Sequence, residues 1–491
     1  MSNSALLAST LPPPPPLRST SSLPFALTVL CHPDWQRLGA VALLPRFSEG
    51  VPLELSRVSP GFVDPLSPRE PLPLTDPFLS RSPVMLTWRE GKVHVAPRSE
   101  IELSVQGARL TAPAEFELPP TGLVLMLGRR VVLLLHRHPG RWREHTHGLV
   151  GQSHSLLRAI DELHQVAPTQ LPVLIRGETG TGKELIARAI HELSPRAGKP
   201  FIAVNLAAIA PSVAASELFG HAAGAFTGAS RGHPGYFAEA AGGTLFLDEI
   251  GELGTDTQAM LLRVLEGGDV QPVGSSRPVR VDVRVVAATD SDLEAALADG
   301  RFRPALFHRL AAFQLGLPSL RERLDDLGRL MRHFSDFQGE LLTAPAVERL
   351  ALAPWTGNVR ELRNVLGQLT LARKASPGPL EDHPALAKLA QVNAAAPSPA
   401  NEAGPVDDQR ILETLRAQQW RLSATARALG ISRTTLYARI DGNPLLRKAS
   451  DVPVEELKAA WAECGGDAEE VARRLEVSAR AIVLRVRALG L

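Results

Sequence analysis

The stretch Gly177-Glu-Thr-Gly-Thr-Gly-Lys183-Glu184 constrains this chain more than any other. It follows an apolar, strand-sized run, Val173-Leu-Ile175, and precedes the helical Leu185-Ile-Ala-Arg-Ala-Ile190. A glycine-rich turn between a strand and a helix lets main-chain N–H groups wrap phosphates. The helix N-terminus adds positive potential, and a lysine reaches the outer phosphates. The segment predicts a P-loop, with Gly177, Glu178, Thr179, Gly180, Thr181, Gly182, Lys183 and Glu184 as nucleotide-binding residues. Glu184 stands where a generic P-loop has Ser or Thr, and the residues alone also allow a glycine-rich turn without a ligand. Further on, Thr244-Leu-Phe-Leu-Asp-Glu249 is an apolar strand ending in two acids. That pattern assigns Asp248 to Mg²⁺, directly or through water, and Glu249 to polarising an attacking water.

The surrounding pattern fits an α/β domain. From about Gly148, strand-like runs (Val173-Leu-Ile175, Phe201-Ile-Ala-Val204, Thr244-Leu-Phe-Leu247, Val283-Arg-Val-Val286) alternate with helical stretches, as parallel sheets require. At 491 residues the chain is too long for one core, so three or four domains are expected. Residues 1–24, with Leu11-Pro-Pro-Pro-Pro-Pro-Leu17, read as a disordered lead-in. Residues 25–138 carry short apolar runs, such as Val93-His-Val95, Ile101-Glu-Leu-Ser-Val105 and Val131-Val-Leu-Leu-Leu135, broken by turn residues. They predict an N-terminal β-sandwich. The ATPase-like α/β domain spans 148–326 and a helical region 327–390. A small-residue linker covers 391–405, with Ala394-Ala-Ala-Pro-Ser-Pro-Ala400.

The last part of the chain contains an internal repeat. Ala424 to Ile440 aligns without gaps on Glu470 to Val486, and both copies read as helix, short turn, helix. From Gln409 to Lys448 there are eight Lys/Arg against two Asp/Glu, the footprint of a small nucleic-acid-binding module. From Asp451 to Leu491 there are six against eight, which favours a packing or dimerisation role for the second copy over DNA reading. The first copy occupies 406–448 and the second 449–491. Cys31 and Cys464 are too far apart to suggest a disulfide framework or a metal site and fit a reducing cytoplasm. No apolar run reaches membrane-spanning length, and no signal-peptide pattern opens the chain. A cytoplasmic protein with no membrane partner is expected.

Gly224-Ala225-Phe226-Thr227-Gly228-Ala229 lies about forty positions past the P-loop. Small residues around one Phe and one Thr cannot build a core, and such a loop suits projection toward another protein. This string is the signature of the AAA+ activators of bacterial sigma-54 RNA polymerase, which the chain resembles over its central part and its C-terminus. The resemblance implies a multidomain architecture: an N-terminal β-sandwich, a central α/β AAA+ P-loop ATPase with helical lid, and a C-terminal all-α helix-turn-helix. It implies ATP and Mg²⁺ as cofactors, sigma-54 RNA polymerase as partner through Gly224–Ala229, and assembly from dimer to a hexameric ring. It assigns Asn205 as a switch residue, Arg303 and Arg309, in Phe302-Arg-Pro-Ala-Leu-Phe-His-Arg309, as fingers acting in trans, and Arg360, in Trp355-Thr-Gly-Asn-Val-Arg-Glu-Leu362, as the lid's nucleotide sensor. Glu184 is usual within this family. Three positions depart from it: Asp290 closes Ala287-Ala-Thr-Asp290 where the family has Asn, Ala238 stands in place of Glu, and Thr356 in place of Pro.

Trp420 to Tyr437 resembles the Fis-type helix-turn-helix that closes most members. Ala424, Leu429, Ile431 and Leu436 have the spacing to pack its two helices. Ser432, Arg433, Thr434, Thr435, Tyr437 and Arg439 then face an upstream DNA site, which would place the protein on the bacterial nucleoid. A helical hairpin for dimerisation is the alternative. The N-terminal sandwich resembles a forkhead-associated domain. That resemblance implies phosphothreonine binding by Arg57 on one loop and Ser80 and Arg81 on the next, with a phosphothreonine protein or a Ser/Thr kinase as partner. Val84 replaces that family's histidine, and Gln106, in Val105-Gln-Gly107, its asparagine. A AAA+ unfoldase and a non-hydrolysing phosphopeptide regulator are the competing classes. The first has no use for the Gly224–Ala229 loop or a helix-turn-helix, and the second would need a silenced motor.

Overall fold

The computed structural model of the chain describes residues 23–387 other than 68–69, 82–83, 99–101, 226–230, 335–341, 376–379 and 381–382, and then 389, 408–417, 425, 452–464, 467–475, 477, 482 and 485–486. It divides into two units, Met1–Leu389 and Ala390–Leu491.

The first unit begins with ten strands: β1 (Phe25–Cys31), β2 (Val41–Leu44), β3 (Leu53–Leu55), β4 (Val84–Arg89), β5 (Lys92–Pro97), β6 (Leu103–Val105), β7 (Ala108–Arg109), β8 (Ala114–Glu117), β9 (Leu123–Leu127) and β10 (Val131–Arg137). They form two antiparallel sheets, ordered β2-β1-β10-β9-β6-β7 and β3-β4-β5-β8. Leu27, Val29, Leu125, Leu133 and Leu135 from the first meet Leu55, Val84, Leu86, Val93 and Val95 from the second in one apolar core. The β6–β7 hairpin turns through Gln106 and Gly107, both at positive φ (52° and 79°), a tight turn that glycine eases.

Every residue of β1 and β9 is buried, although strands alternate their side chains. A sheet covered on one face would bury half of them. Here the outward-facing Leu30, Val124, Met126, Val132 and Leu134 pack on the helical lid described below.

The central domain carries α1 (His154–Val166), β11 (Val173–Arg176), α2 (Lys183–Glu192), β12 (Phe201–Asn205), α3 (Pro211–Phe219), α4 (Tyr236–Glu239), β13 (Thr244–Asp248), α5 (Thr255–Gly267), the short ribbon β14 (Asp269–Val270) and β15 (Val279–Arg280), β16 (Arg284–Thr289), α6 (Leu293–Ala298), α7 (Pro304–Leu310) and β17 (Phe313–Gly316). Five strands make a parallel sheet ordered β12-β13-β16-β11-β17. Ser153 caps α1 by accepting from the Leu156 N–H, and Leu156, Ile160, Leu163 and Val166 face the core. The far end of α1 is closed by Arg284, whose guanidinium donates to the carbonyls of Val166, Ala167 and Leu171. Burial pulls the pKa of this arginine down to about 10, and three carbonyl partners offset the desolvation of its charge.

The lid consists of a short 3-10 segment (Leu320–Asp326), α8 (Leu327–Phe334), α9 (Ala344–Ala351) and α10 (Asn358–Ala375). Trp355 is fully buried between α9 and α10 and donates its indole N–H to Leu350 O at 2.8 Å. The expected fold class is the observed one.

In the second unit, α11 (Asp408–Ala417), α12 (Val454–Glu463) and α13 (Ala468–Leu475) are described. Val471, Leu475, Val477, Ile482 and Val486 share one apolar cluster with Leu457 and Ala460. Leu475, Val477 and Ile482 are the repeat partners of Leu429, Ile431 and Leu436, so the second copy packs with the expected spacing. The first position of that set is shifted by one. Val471 is buried and Glu470 exposed, and Thr425, the repeat partner of Val471, is buried in the first copy. Among the described residues, no helix is long and apolar enough to cross a membrane.

Candidate nucleotide site and its surroundings

The C-terminal ends of β11, β13 and β16 meet at one edge of the parallel sheet. The glycine-rich loop leaves β11 there and enters α2 through Gly182, at φ 107°, a conformation open to glycine. Lys183 is 6% exposed; its ammonium donates to Gly177 O at 3.0 Å and lies 3.2 Å from Glu249 Oε1. Glu249 leaves β13 at φ 56°, in the left-handed region where a non-glycine residue is strained. That backbone turns its carboxylate toward Lys183, and its own N–H donates to Asp248 Oδ1 at 3.1 Å. Burial, the largest influence, raises the Glu249 pKa against the opposing pull of Lys183. The loop lysine and both strand-end acids are therefore brought together.

Asp290, at the end of β16, belongs to the same cluster. Its N–H donates to Glu249 Oε2 at 3.2 Å, and its carboxylate accepts from the Thr179 hydroxyl. That hydrogen bond holds the Asp290 carboxyl below the usual carboxylate range. Asn205 lies opposite Asp248 in the β12–β13 register, but its side chain accepts from Ala207 N at 2.9 Å and caps the turn at 206–208. The bonds that hold Glu249 come from Lys183 and Asp290. Glu184 pairs with Arg188 one turn along α2 at 3.4 Å.

Lid residues close over the loop. Glu178 takes both guanidinium Nη atoms of Arg321, one at 2.8 Å, and also accepts from Asn358 Nδ2 at 3.0 Å. Asn358 is fully buried, at φ 53°, and donates to Thr179 O while accepting from Leu320 N. Val359 N donates to Gly180 O at 3.1 Å. A Cβ at Gly180 would sit 2.3 Å from Gly357 O and 3.1 Å from the Arg360 Cβ, so glycine is required for this approach. Arg360 thus stands at the loop with its side chain exposed. The bonds from Arg321 and Asn358 were not foreseen; the motif around Arg360 was the signal that could have pointed to Asn358.

Arg303 and Arg309 bond to the two ends of α5: Arg303 Nε donates to Thr255 O at 3.1 Å and Arg309 Nε to Leu265 O at 3.2 Å. Both side chains are exposed. Of the Gly224–Ala229 string, Gly224 and Ala225 are described; Phe226, Thr227, Gly228 and Ala229 lie outside the described residues. The base of this loop is pinned by main-chain bridges of His221 to His233 and to Val273, and Ala225 packs against Gly274. Ser432, Arg433, Thr434, Thr435, Tyr437 and Arg439 also lie outside the described residues.

In the sandwich, Arg57 and Ser80 adjoin, with Arg57 N donating to Ser80 O at 3.1 Å, and Arg81 is exposed. The expectation of two successive loops is corrected: all three sit on one long β3–β4 connection. Prolines recur along this connection, and among its described residues the strand-like pairing is confined to the isolated bridges Phe62–Leu72 and Val41–Val63.

Three known families match parts of this chain. Residues 149–316 match the family described as the Sigma-54 interaction domain, 321–385 the AAA+ ATPase lid domain, and 404–441 the bacterial regulatory proteins of the Fis family. The chain is 41% identical over 319 residues to the anaerobic nitric oxide reductase transcription regulator NorR of Aeromonas salmonicida, covering 59% of this chain and 62% of that protein. It is 51% identical over 235 residues to the Nif-specific regulatory protein of Azorhizobium caulinodans, covering 46% of this chain and 38% of the relative. The crystal structure of NtrX from Brucella abortus in complex with ATP is 30% identical, with a TM-score of 0.43 over 61% of this chain and 71% of that one. The chain thus spans less than two thirds of the curated relatives it matches.

Proposed function

We propose that this chain, in which a Sigma-54 interaction domain, a AAA+ lid and a Fis-type helix-turn-helix follow one another, is an ATP-driven activator of transcription by sigma-54 RNA polymerase. The observation that carries the reading is the Lys183–Glu249 contact of 3.2 Å at the ends of β11 and β13, inside residues matched to the Sigma-54 interaction domain. Lys183 would hold the outer phosphates and Glu249 would orient the attacking water. Asp248 offers hard oxygen ligands suited to Mg²⁺. Among the described residues no group of three His, Cys, Asp or Glu side chains could hold a metal by itself, so Mg²⁺ would arrive with the nucleotide's phosphates. Bound there, it would neutralise charge on the transferring phosphoryl group.

Arg303 and Arg309 are exposed and directed by α5 and α7, which supports a role in a neighbour's site and hence a ring, a hexamer on the family's pattern. Asn205 would act as a switch at the β12 end and Arg360 as the lid's sensor. The loop Gly224–Ala229 would press on sigma-54, and Ser432, Arg433, Thr434, Thr435, Tyr437 and Arg439 would grip upstream DNA. The sandwich would act as the control domain, with Arg57, Ser80 and Arg81 receiving a phosphothreonine from a partner protein or kinase. Their adjacency on one connection supports this use.

The test is steady-state ATP turnover alongside sigma-54-dependent open-complex formation. Lys183→Ala should abolish both. Thr227→Ala should leave turnover largely intact while open complexes fail to form. Full activation by Lys183→Ala at saturating ATP would overturn the reading.

A further inference from the structure

A cavity of about 380 Å³ lies where the sandwich meets the start of α1 and the 3-10 segment Leu320–Asp326 that opens the lid. That volume is of the size that takes a small molecule. Trp88, Leu118 and Pro119 give it apolar walls, and Arg137, His154 and Asp325 bring polar groups to it. Arg137 closes β10, opposite Phe25 in the β1–β10 register. Its guanidinium carbon lies 4.1 Å from the centre of the Phe25 ring and 5.5 Å from that of Trp88, and Nη1 donates to Leu23 O at 2.7 Å. These contacts hold the fork in place while using one of its five N–H donors. Burial lowers the Arg137 pKa, and no carboxylate among the described residues pairs with it to offset that.

We propose that this cavity binds a small organic acid, a single carboxylate on a short apolar body, with Arg137 holding the carboxylate. A carboxylate matches the unbonded edge of a guanidinium fork in a bidentate way. His154 supplies a second polar group to the same walls: its Nδ1 is buried without a partner among the described residues, and a neutral imidazole with its proton there donates. Trp88 and Pro119 suit the apolar body. One arginine balances one negative charge, whereas a phosphate dianion would meet the same single cation and two acids, Asp325 and Glu322. A monoanion avoids most of that conflict. Burial beside Asp326 raises the Asp325 pKa well above the usual carboxylate range, which leaves a neutral carboxyl able to donate, and Glu322 is engaged by the Ser319 N–H and hydroxyl at 2.8 Å each. Arg321, next to Glu322, ties the same 3-10 segment to Glu178 on the glycine-rich loop. An occupant of the cavity therefore touches the sandwich, α1 and the segment that carries that tie.

Calorimetric titration of the full chain with hexanoate, with hexanamide (the same body without the charge) and with inorganic phosphate decides the matter. Hexanoate should bind about tenfold more tightly than either of the others, the difference expected of hydrogen bonds to a charged group. Arg137→Gln should lose that margin. Thr121→Trp, which fills the cavity and leaves the guanidinium, should weaken both organic probes by about tenfold. Absence of hexanoate binding, equal affinity for hexanoate and hexanamide, or an unchanged hexanoate affinity in Arg137→Gln would overturn the assignment. Phosphate binding as tight as that of hexanoate would overturn it too, and would give the cavity to a phosphoryl group. The wild-type contrast and Thr121→Trp decide the case even where Arg137→Gln lowers stability, and every one of these outcomes leaves the ATPase reading untouched.

Discussion

The lid meets the sandwich and the glycine-rich loop through contacts of different kinds. Against the sandwich, Leu330, Val347 and Leu350 share a dry cluster with Leu30, Met126, Val132 and Leu134. Against the loop, it offers the side chains of Arg321 and Asn358 to Glu178, and the pair Glu178–Arg321 is about two-fifths exposed on each side. Apolar contact depends on area removed from water and is indifferent to a ligand's charge. A bidentate ion pair beside a phosphate loop is sensitive to every charge that enters. The first junction is suited to holding the lid in place and the second to reporting what the loop holds.

The dry junction should show the largest effect on stability. Leu134 is 1% exposed, and Leu134→Ala removes a methyl-rich side chain from between sheet and lid. A loss of about 2–5 kcal/mol is expected from such core truncations. A shift of the denaturation midpoint well below that range would show that sheet and lid close the gap by sliding, and would weaken the comparison.

Asp64 is one of the polar elements at this junction, beside the Ser104–Glu348 bond between β6 and α9. It accepts from Arg329 at 2.8 Å and from Arg332 at 3.4 Å, and the Arg329 side chain is 5% exposed. These partners hold the Asp64 carboxyl below its usual range despite burial, the largest single influence on it. Asp64→Asn keeps an oxygen acceptor but removes the negative charge facing the buried Arg329, which also donates to Gly39 O. The expected cost is about 1–3 kcal/mol, read from the same midpoint.

At the polar junction, stability and activity should separate. Arg321→Ala removes an exposed pair and should change stability by no more than about 1 kcal/mol. ATP turnover should fall by tenfold or more, because Glu178 and the loop lose their tie to the lid. Equal losses in both measurements would mean that this junction is structural like the other.

These junctions were unequally visible in the sequence. The loop and the acids at 248–249 were legible because each function is carried by residues close together in the chain. The sheet's second buried face was signalled by the unbroken runs Leu123–Leu127 and Val131–Leu135, since a strand covered on both faces loses its alternation. The partner that covers it lies some two hundred residues away, and periodicity carries no address. Glu178–Arg321 spans 143 positions between charged residues that look like ordinary surface, so nothing local marked it. The left-handed turn at Glu249 was equally hidden, because a glutamate gives no signal of positive φ.

The smallest expected effect concerns acid. His136 on β10 is buried at the dry junction, bonded through Nε2 to Thr28 Oγ1 at 2.7 Å, with Asp325 3.7 Å from its Nδ1. Burial, followed by the nearby His138, pushes the His136 pKa down to about 3, and burial beside Asp326 raises that of Asp325. A neutral imidazole facing a carboxyl group that resists ionising is a contact without the strength of an ion pair. Because the folded histidine stays neutral while the unfolded one takes a proton near its ordinary 6.5, the unfolded chain binds more protons between about pH 6.5 and 3. Stability therefore falls as pH drops through that window. The raised Asp325 pKa works in the opposite direction and remains in a His136 variant. His136→Gln keeps a polar partner for Thr28 and removes the titration, so its denaturation midpoint should fall less than that of the wild type between pH 6.5 and 4.5. An identical decline in both proteins would move the acid sensitivity away from this sheet–lid contact to the other histidines whose pKa burial lowers, among them His138, at about 4 where it bonds to Gln152 O, and His32.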